Sequence, residues 1–242
     1  MVQLTRKQRE IQEREQLFVA TGRRLLLERG YAGLTMDRIA EATEYSKGTV
    51  YQHFANKEDL LVAVLVGTCS TRRSLFERAA AFRGTPRDRM AAIGIAVEIF
   101  RAQHPDADAV EHLSREQSFR EKATPETLLR LQASEQATLE ICFGITRDGI
   151  AIGDLELAEE ARISDITLGL WSLYQGTFAI LDGMPTDELG FPDPLETMRQ
   201  NAQRLLDAFD WKPLSTDTDL DAQRERILGE VFPEEREALE PS

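Results

Sequence analysis

The stretch from Thr35 to Lys57, TMDRIAEATEYSKGTVYQHFANK, decides the reading of this chain. Met36, Ile39 and Ala40 fall at i, i+3 and i+4, an apolar stripe behind an N-cap candidate, Thr35, with Asp37 in the first turn. Ser46 is the next N-cap candidate. In the helix it opens, Val50 and Phe54 lie four apart and share a face. Lys47, Gly48, Thr49, Tyr51 and Gln52 then face outward. The spacing fits two structures. One is a helix-turn-helix, at about 35–54, whose second helix enters the major groove; the other is a surface helical hairpin with a solvated outer face.

Outward from this stretch the wider spelling separates the two. Phe18 to Leu65, with ERGYAGLTMDRIA and then YSKGTVYQHFANKEDLL, resembles the DNA-binding region of TetR-type transcriptional regulators over about fifty residues. The resemblance implies backbone contacts from Thr35, Thr49, Tyr51, His53 and Lys57, and base contacts from Lys47, Gly48, Tyr51 and Gln52. Each residue suits its role. Gln pairs bidentately with adenine, Lys reaches guanine O6 or N7, and Gly lets the backbone approach. Lys57 is a cation at the start of a helix, where free N–H groups also attract phosphate. His53 is either a backbone donor or a half-buried structural histidine. One pair departs from the family pattern. Glu44 and Tyr45 stand where glycine and a small aliphatic residue are usual. A non-glycine at φ > 0 costs about 1 kcal/mol, so a looser turn is one expectation. Tyr45 either packs into the domain or adds a contact of its own.

Charge divides along the chain. Of the formal net charge of −13, residues 1–66 carry +1, from ten Lys/Arg and nine Asp/Glu, and the rest carries −14. A nearly neutral head on an acidic body leaves the head as the part that meets phosphate. Cys69 and Cys142 lie far apart in apolar helical patterns and read as buried thiols ahead of a disulfide. No apolar run approaches the roughly 18 residues of a membrane span, and MVQLTRKQREIQEREQ lacks the apolar core of a signal peptide. A soluble, cytoplasmic protein is expected.

Helix signals dominate, so the fold class is all-α; the resemblance implies an N-terminal three-helix helix-turn-helix domain, then a C-terminal helical ligand-binding and dimerisation domain. The expected divisions are 1–66, 67–212 and an acidic extension, 213–242. The first helix begins near Thr5, with Phe18, Gly22, Leu25 and Leu26 inward and Gly30 as a C′ residue. Its charged start either extends the helix or frays, with Arg6, Lys7 and Arg9 in reach of phosphate. Asn56 caps a fourth helix, whose run extends to Phe82. Met90, Ile93, Val97 and Phe100 mark another, and a shorter one covers Asp106 to Phe119. A helix opened by Thr124 carries Leu128, Leu131, Leu139, Cys142 and Phe143, and 149–157 is a loop. Ile163 to Leu181 and Leu195 to Phe209 have the broadest stripes. These are either internal core or a face that a second copy covers. The resemblance implies the second, a four-helix homodimer interface, with Gly169 and Gly176 allowing close approach. From Pro213 the tail holds nine Asp/Glu against three Lys/Arg, with one weak helical run from Leu220 to Leu228, and reads as a partly ordered appendage.

The resemblance also implies a small-molecule effector among the C-terminal helices, near Phe100, Leu139, Phe143, Trp171, Tyr174 and Phe178. An aromatic stripe at this spacing is otherwise plain core. The lining suits an apolar or amphipathic ligand. His104, Glu111 and His112 invite a metal reading, but adjacent residues lie about 100° apart on a helix and no third ligand has suitable spacing. No metal and no cofactor is expected. No phosphate-cradling glycine loop, nucleophile elbow or zinc-protease motif occurs, so the chain does not read as an enzyme. The function expected is a sequence-specific regulator, a repressor released from a palindromic double-stranded DNA operator by an effector. The alternative keeps the head but acts through protein partners, with the acidic tail as its support.

Overall fold

The computed structural model describes residues 5–107, 110–111, 117–158, 161–184 and 190–239. These are helical throughout, with no strand among them. In chain order the helices are α1 (Arg6–Gly33), α2 (Met36–Thr43), α3 (Lys47–His53), α4 (Lys57–Ala80), α5 (Pro86–Gln103), the single turn α6 (Gln117–Arg120), α7 (Pro125–Ala151), α8 (Ile163–Gly183), α9 (Pro194–Ala208) and α10 (Leu220–Val231). The chain divides into two compact units, Met1–Thr71 with His104–Gln136, and Arg72–Gln103 with Ala137–Ser242.

In the first unit the caps fall where the sequence places them. Thr5 opens α1 with a reciprocal capping box to Gln8. Thr35 accepts from the Arg38 N–H, Ser46 from Thr49 and Asn56 from Asp59, each satisfying an orphan donor of α2, α3 or α4. Gly30 breaks α1 at φ 66°, ψ 179°, a conformation that L side chains rarely adopt. Phe18, Leu34, Ile39, Val50 and Leu60 are wholly buried in one core. Gly22 is required there, since a Cβ would lie 2.2 Å from the Leu60 Cδ2.

That core recruits chain from beyond the head. Val110, Phe119, Ala123 and Leu131 belong to the same cluster. Asp59, buried in the first turn of α4, accepts from the Thr124 N–H and the Thr127 hydroxyl, both at 2.8 Å. Asn56 donates to the Lys122 carbonyl at 3.0 Å, and Arg23 pairs with Asp106 at 2.8 Å.

In the second unit α8 and α9 pack together around Tyr174, Phe178, Met198 and Ala202. Gly169 serves this intrachain contact, for a Cβ there would lie 2.9 Å from Leu205, whereas nothing stands within 4 Å of a Cβ at Gly176. Gly94 on α5 makes room for the Tyr174 hydroxyl, 2.3 Å from where a Cβ would sit. The buried Arg87 guanidinium donates to the Trp211 carbonyl, to Gln203 and to Asp207.

The acidic tail is not an appendage. Ile227, Leu228 and Phe232 are buried, and α10 and the turn at Arg236–Leu239 lie along α5. Arg224 and Arg199 share the buried Glu98 of α5. Arg78, near the end of α4, pairs with Glu235, donates to the Val231 carbonyl and lies over the Phe232 ring, 5.1 Å from its centroid. Arg226 lies over Phe82 at 4.6 Å and donates to the Arg83 carbonyl. Net charge misled the sequence reading because a few apolar anchors, with Arg224, Arg226 and Glu235, meet partners in this unit outside the tail.

Candidate nucleic-acid interface

The turn between α2 and α3 is tight. Glu44 takes the left-handed conformation that glycine usually fills, φ 57° and ψ 26°, and the Tyr45 N–H reaches the Ala40 carbonyl at 3.1 Å. The backbone therefore accepts the conformational cost rather than loosening. Tyr45 packs onto the head. Its ring meets Phe18 edge-on at 5.4 Å and lies under the Arg14 guanidinium at 5.6 Å, while the residue remains exposed.

From this turn α3 buries Val50 and its cap Phe54 against the core. Lys47, Gly48, Tyr51 and Gln52 are exposed together on its other side. Gly48 has no positive φ, and a Cβ there would meet only the Ser46 hydroxyl at an ordinary 3.8 Å. A helical glycine costs about 1 kcal/mol relative to alanine, and nothing within the fold requires this one.

Around this face the other residues are already engaged. The Thr35 hydroxyl caps α2, and the Thr49 hydroxyl lies 2.8 Å from that of Ser46. His53 is half-buried, 5.3 Å from the Phe18 ring centroid and 6.4 Å from that of Phe54. Burial, then the charge of Arg14, lowers its pKa, with Glu15 opposing. The Lys57 ammonium sits 3.8 Å from the Tyr31 ring centroid and donates to the Tyr31 carbonyl at 3.2 Å. Tyr31 in turn donates to the buried Glu58 carboxylate at 2.5 Å. One partner was missed in the sequence. Asp37, in the first turn of α2, lies 2.6 Å from the Lys47 ammonium. It had been read only as a helix-start signal.

Residues 18–64 match the model of the bacterial regulatory proteins of the tetR family. The chain carries a TetR-family head. Its similarity to named repressors is short: 45% identity over 42 residues with the HTH-type transcriptional repressor AcnR of Corynebacterium glutamicum, and 36% over 55 with that of Corynebacterium diphtheriae. The first match covers 17% of this chain and 22% of the repressor, the second 23% and 29%, so the chain matches less than a third of either relative's length. The fold match is wider. A tetR-family regulatory protein from Rhodococcus RHA1 is similar with a TM-score of 0.59 and 20% identity, over 81% of this chain and 96% of that one. The transcriptional regulator FadR from Bacillus subtilis, in complex with stearoyl-CoA, is similar with a TM-score of 0.55 and 17% identity, over 79% and 96%. The TetR family is one of regulators rather than enzymes.

The six residues expected around an effector are spread in their exposure. Phe100, Tyr174 and Phe178 are buried, Leu139 and Phe143 half-buried, and Trp171 is about half exposed. Burial pushes the Tyr174 phenol well above its usual range, with Glu98 adding to the rise. Of the residues considered for a metal, His112 lies outside the described residues. Among the described residues no three His, Cys, Asp or Glu side chains are grouped to hold one, and no helix is long and apolar enough to cross a membrane.

Proposed function

We propose that the chain is a sequence-specific repressor that binds a palindromic operator as a homodimer and is released by a small effector. The observation that carries the DNA reading is the face Lys47–Gly48–Tyr51–Gln52, exposed on a short helix whose glycine has no use within the fold. In this reading Lys47, Gly48, Tyr51 and Gln52 meet bases, and Thr35, Thr49, Tyr51, His53 and Lys57 meet the backbone. Lys57 then serves phosphate from a position pinned on Tyr31. Residues 1–66 form the DNA-binding domain, although the core beneath it draws on 104–136.

Dimerisation is assigned to α8 and α9. Leu168, Trp171 and Ile180 of α8 and Phe191 just before α9 are exposed, and Gly176 is open. A twofold pair of heads reads half-sites spaced by about 34–36 Å or a multiple. The effector is assigned to the second unit, near Phe100, Leu139, Phe143, Tyr174 and Phe178. Its class is apolar or amphipathic, and the stearoyl-CoA bound to the FadR of Bacillus subtilis supports an acyl compound. Residues of α4 belong to both units, so an effector that favours one setting of this helix acts on the head by chain continuity. A hundredfold preference for the DNA-incompetent state supplies about 2.7 kcal/mol.

The test is selection of duplexes from a random-sequence pool by the full chain, followed by variants. Gln52→Ala relaxes preference at one base pair per half-site and costs about 1–3 kcal/mol. Lys57→Ala weakens every sequence alike and lowers the salt slope by about one unit per contact. A chain that enriches no duplex refutes the reading.

A further inference from the structure

The ion pair between Asp37 and Lys47 is unexpected at a surface meant for DNA. Its groups are 60% and 63% exposed, a setting in which such a pair adds little to stability. It nevertheless joins the first turn of α2 to the first residue of α3, and it ties up the one cation on the exposed face of α3. A free lysine there binds phosphate wherever DNA is met, and counterion release rewards each such contact regardless of sequence. A paired lysine must first give up its carboxylate. An ammonium has three N–H donors, so Lys47 can keep one on Asp37 while offering the others to guanine O6 and N7. A phosphate contact instead brings an oxyanion towards the Asp37 carboxylate, which repels it.

We infer that Asp37 is a specificity-determining residue, which holds the Lys47 ammonium for a base edge and penalises its use on phosphate. The inference rests on the DNA-reading function proposed above. It gives a role to an acidic side chain on the binding face, where charge alone counts against it.

The experiment uses the full chain, a duplex enriched by the wild type from a random pool, and an unselected duplex of equal length. Asp37→Asn is expected to tighten binding to the unselected duplex by about two- to fivefold, the range commanded by a weak exposed pair. The salt slope steepens by about one contact, and the ratio of selected to unselected affinity falls. In a Lys47→Ala background, Asp37→Asn should do no more than Glu41→Gln, the removal of another exposed carboxylate in α2. Unchanged affinity and slope for the unselected duplex overturn the inference. So does an equal effect with and without Lys47, which is general charge repulsion, or a loss on both duplexes together, which is a helix-start role. A wild type that enriches no duplex overturns the function itself, a result visible before any variant is made.

Discussion

Phe232→Ala measures whether the C-terminal tail belongs to the second unit. Phe232 is fully buried, with the Arg78 guanidinium over its ring and Ile227 and Leu228 buried in the same segment. Truncating a buried phenylalanine costs about 3–5 kcal/mol, transfer and cavity together. Were the tail a solvated appendage, the change would stay within about 0.5 kcal/mol. The assay is urea unfolding followed by tryptophan fluorescence, because both tryptophans, the buried Trp211 and the half-exposed Trp171, lie in the second unit. With a urea m-value of about 1–3 kcal/mol/M, the midpoint should fall by at least about 1 M with m unchanged. A midpoint shift below a few tenths of a molar would refute the packing argument, and chains ending at Trp211 should then be as stable as the full length.

Glu44→Gly relieves a left-handed residue, worth about 1–2 kcal/mol, against about 0.4–1 kcal/mol of added unfolded-state entropy. A higher melting temperature of the head is expected, and a lower one would mean that the turn is held by the glutamate side chain. Leu168→Glu with Trp171→Glu should dissociate the proposed dimer in sedimentation and leave the fold intact by circular dichroism. Both side chains are exposed, whereas Leu170 and Leu205 are half-buried against their own chain, so a charge there would disturb intrachain packing as well. For His53 the folded pKa lies below the ordinary 6.5, so the neutral ring is favoured and its contribution is full above that value. Stability of the first unit should fall as pH drops below about 6.5, and His53→Gln should flatten that part of the profile.

Much of the head was legible because local rules and tertiary needs agree there. Thr5, Thr35, Ser46 and Asn56 are short polar side chains before apolar periodicity, and each caps a helix. Gly30 was readable as a left-handed position for the same local reason. Segment 104–136 was less readable. Its link to the head is made by Asp59 accepting from the Thr124 N–H and the Thr127 hydroxyl, residues more than sixty positions away, and no periodicity encodes that meeting. The stripe on α8 shows another limit. Steps of three and four admit both Tyr174, which faces in, and Trp171, which faces out, because the apolar arc is wider than one contact. Gly169 looked like room for a second copy but makes room for Leu205 of its own chain. The outward face of α3 was legible at Lys47, Gly48, Tyr51 and Gln52, though Thr49, expected on it, is half-buried; the carboxylate paired with Lys47 was not legible, since helix-start chemistry already explained an aspartate at that place.

The two thiols are buried one to a unit, Cys69 in the first and Cys142 in the second, and burial pushes the Cys142 thiol up to about 12. Both sulfurs are buried, and for Cys142 the reactive thiolate is also disfavoured, so neither meets an alkylating reagent at an appreciable rate until its surroundings open. The chain thus carries one built-in timer for each half. Mass spectrometry of the two labelled peptides gives the opening rate of each unit separately, in a single unmodified protein, with DNA or a trial effector added at will.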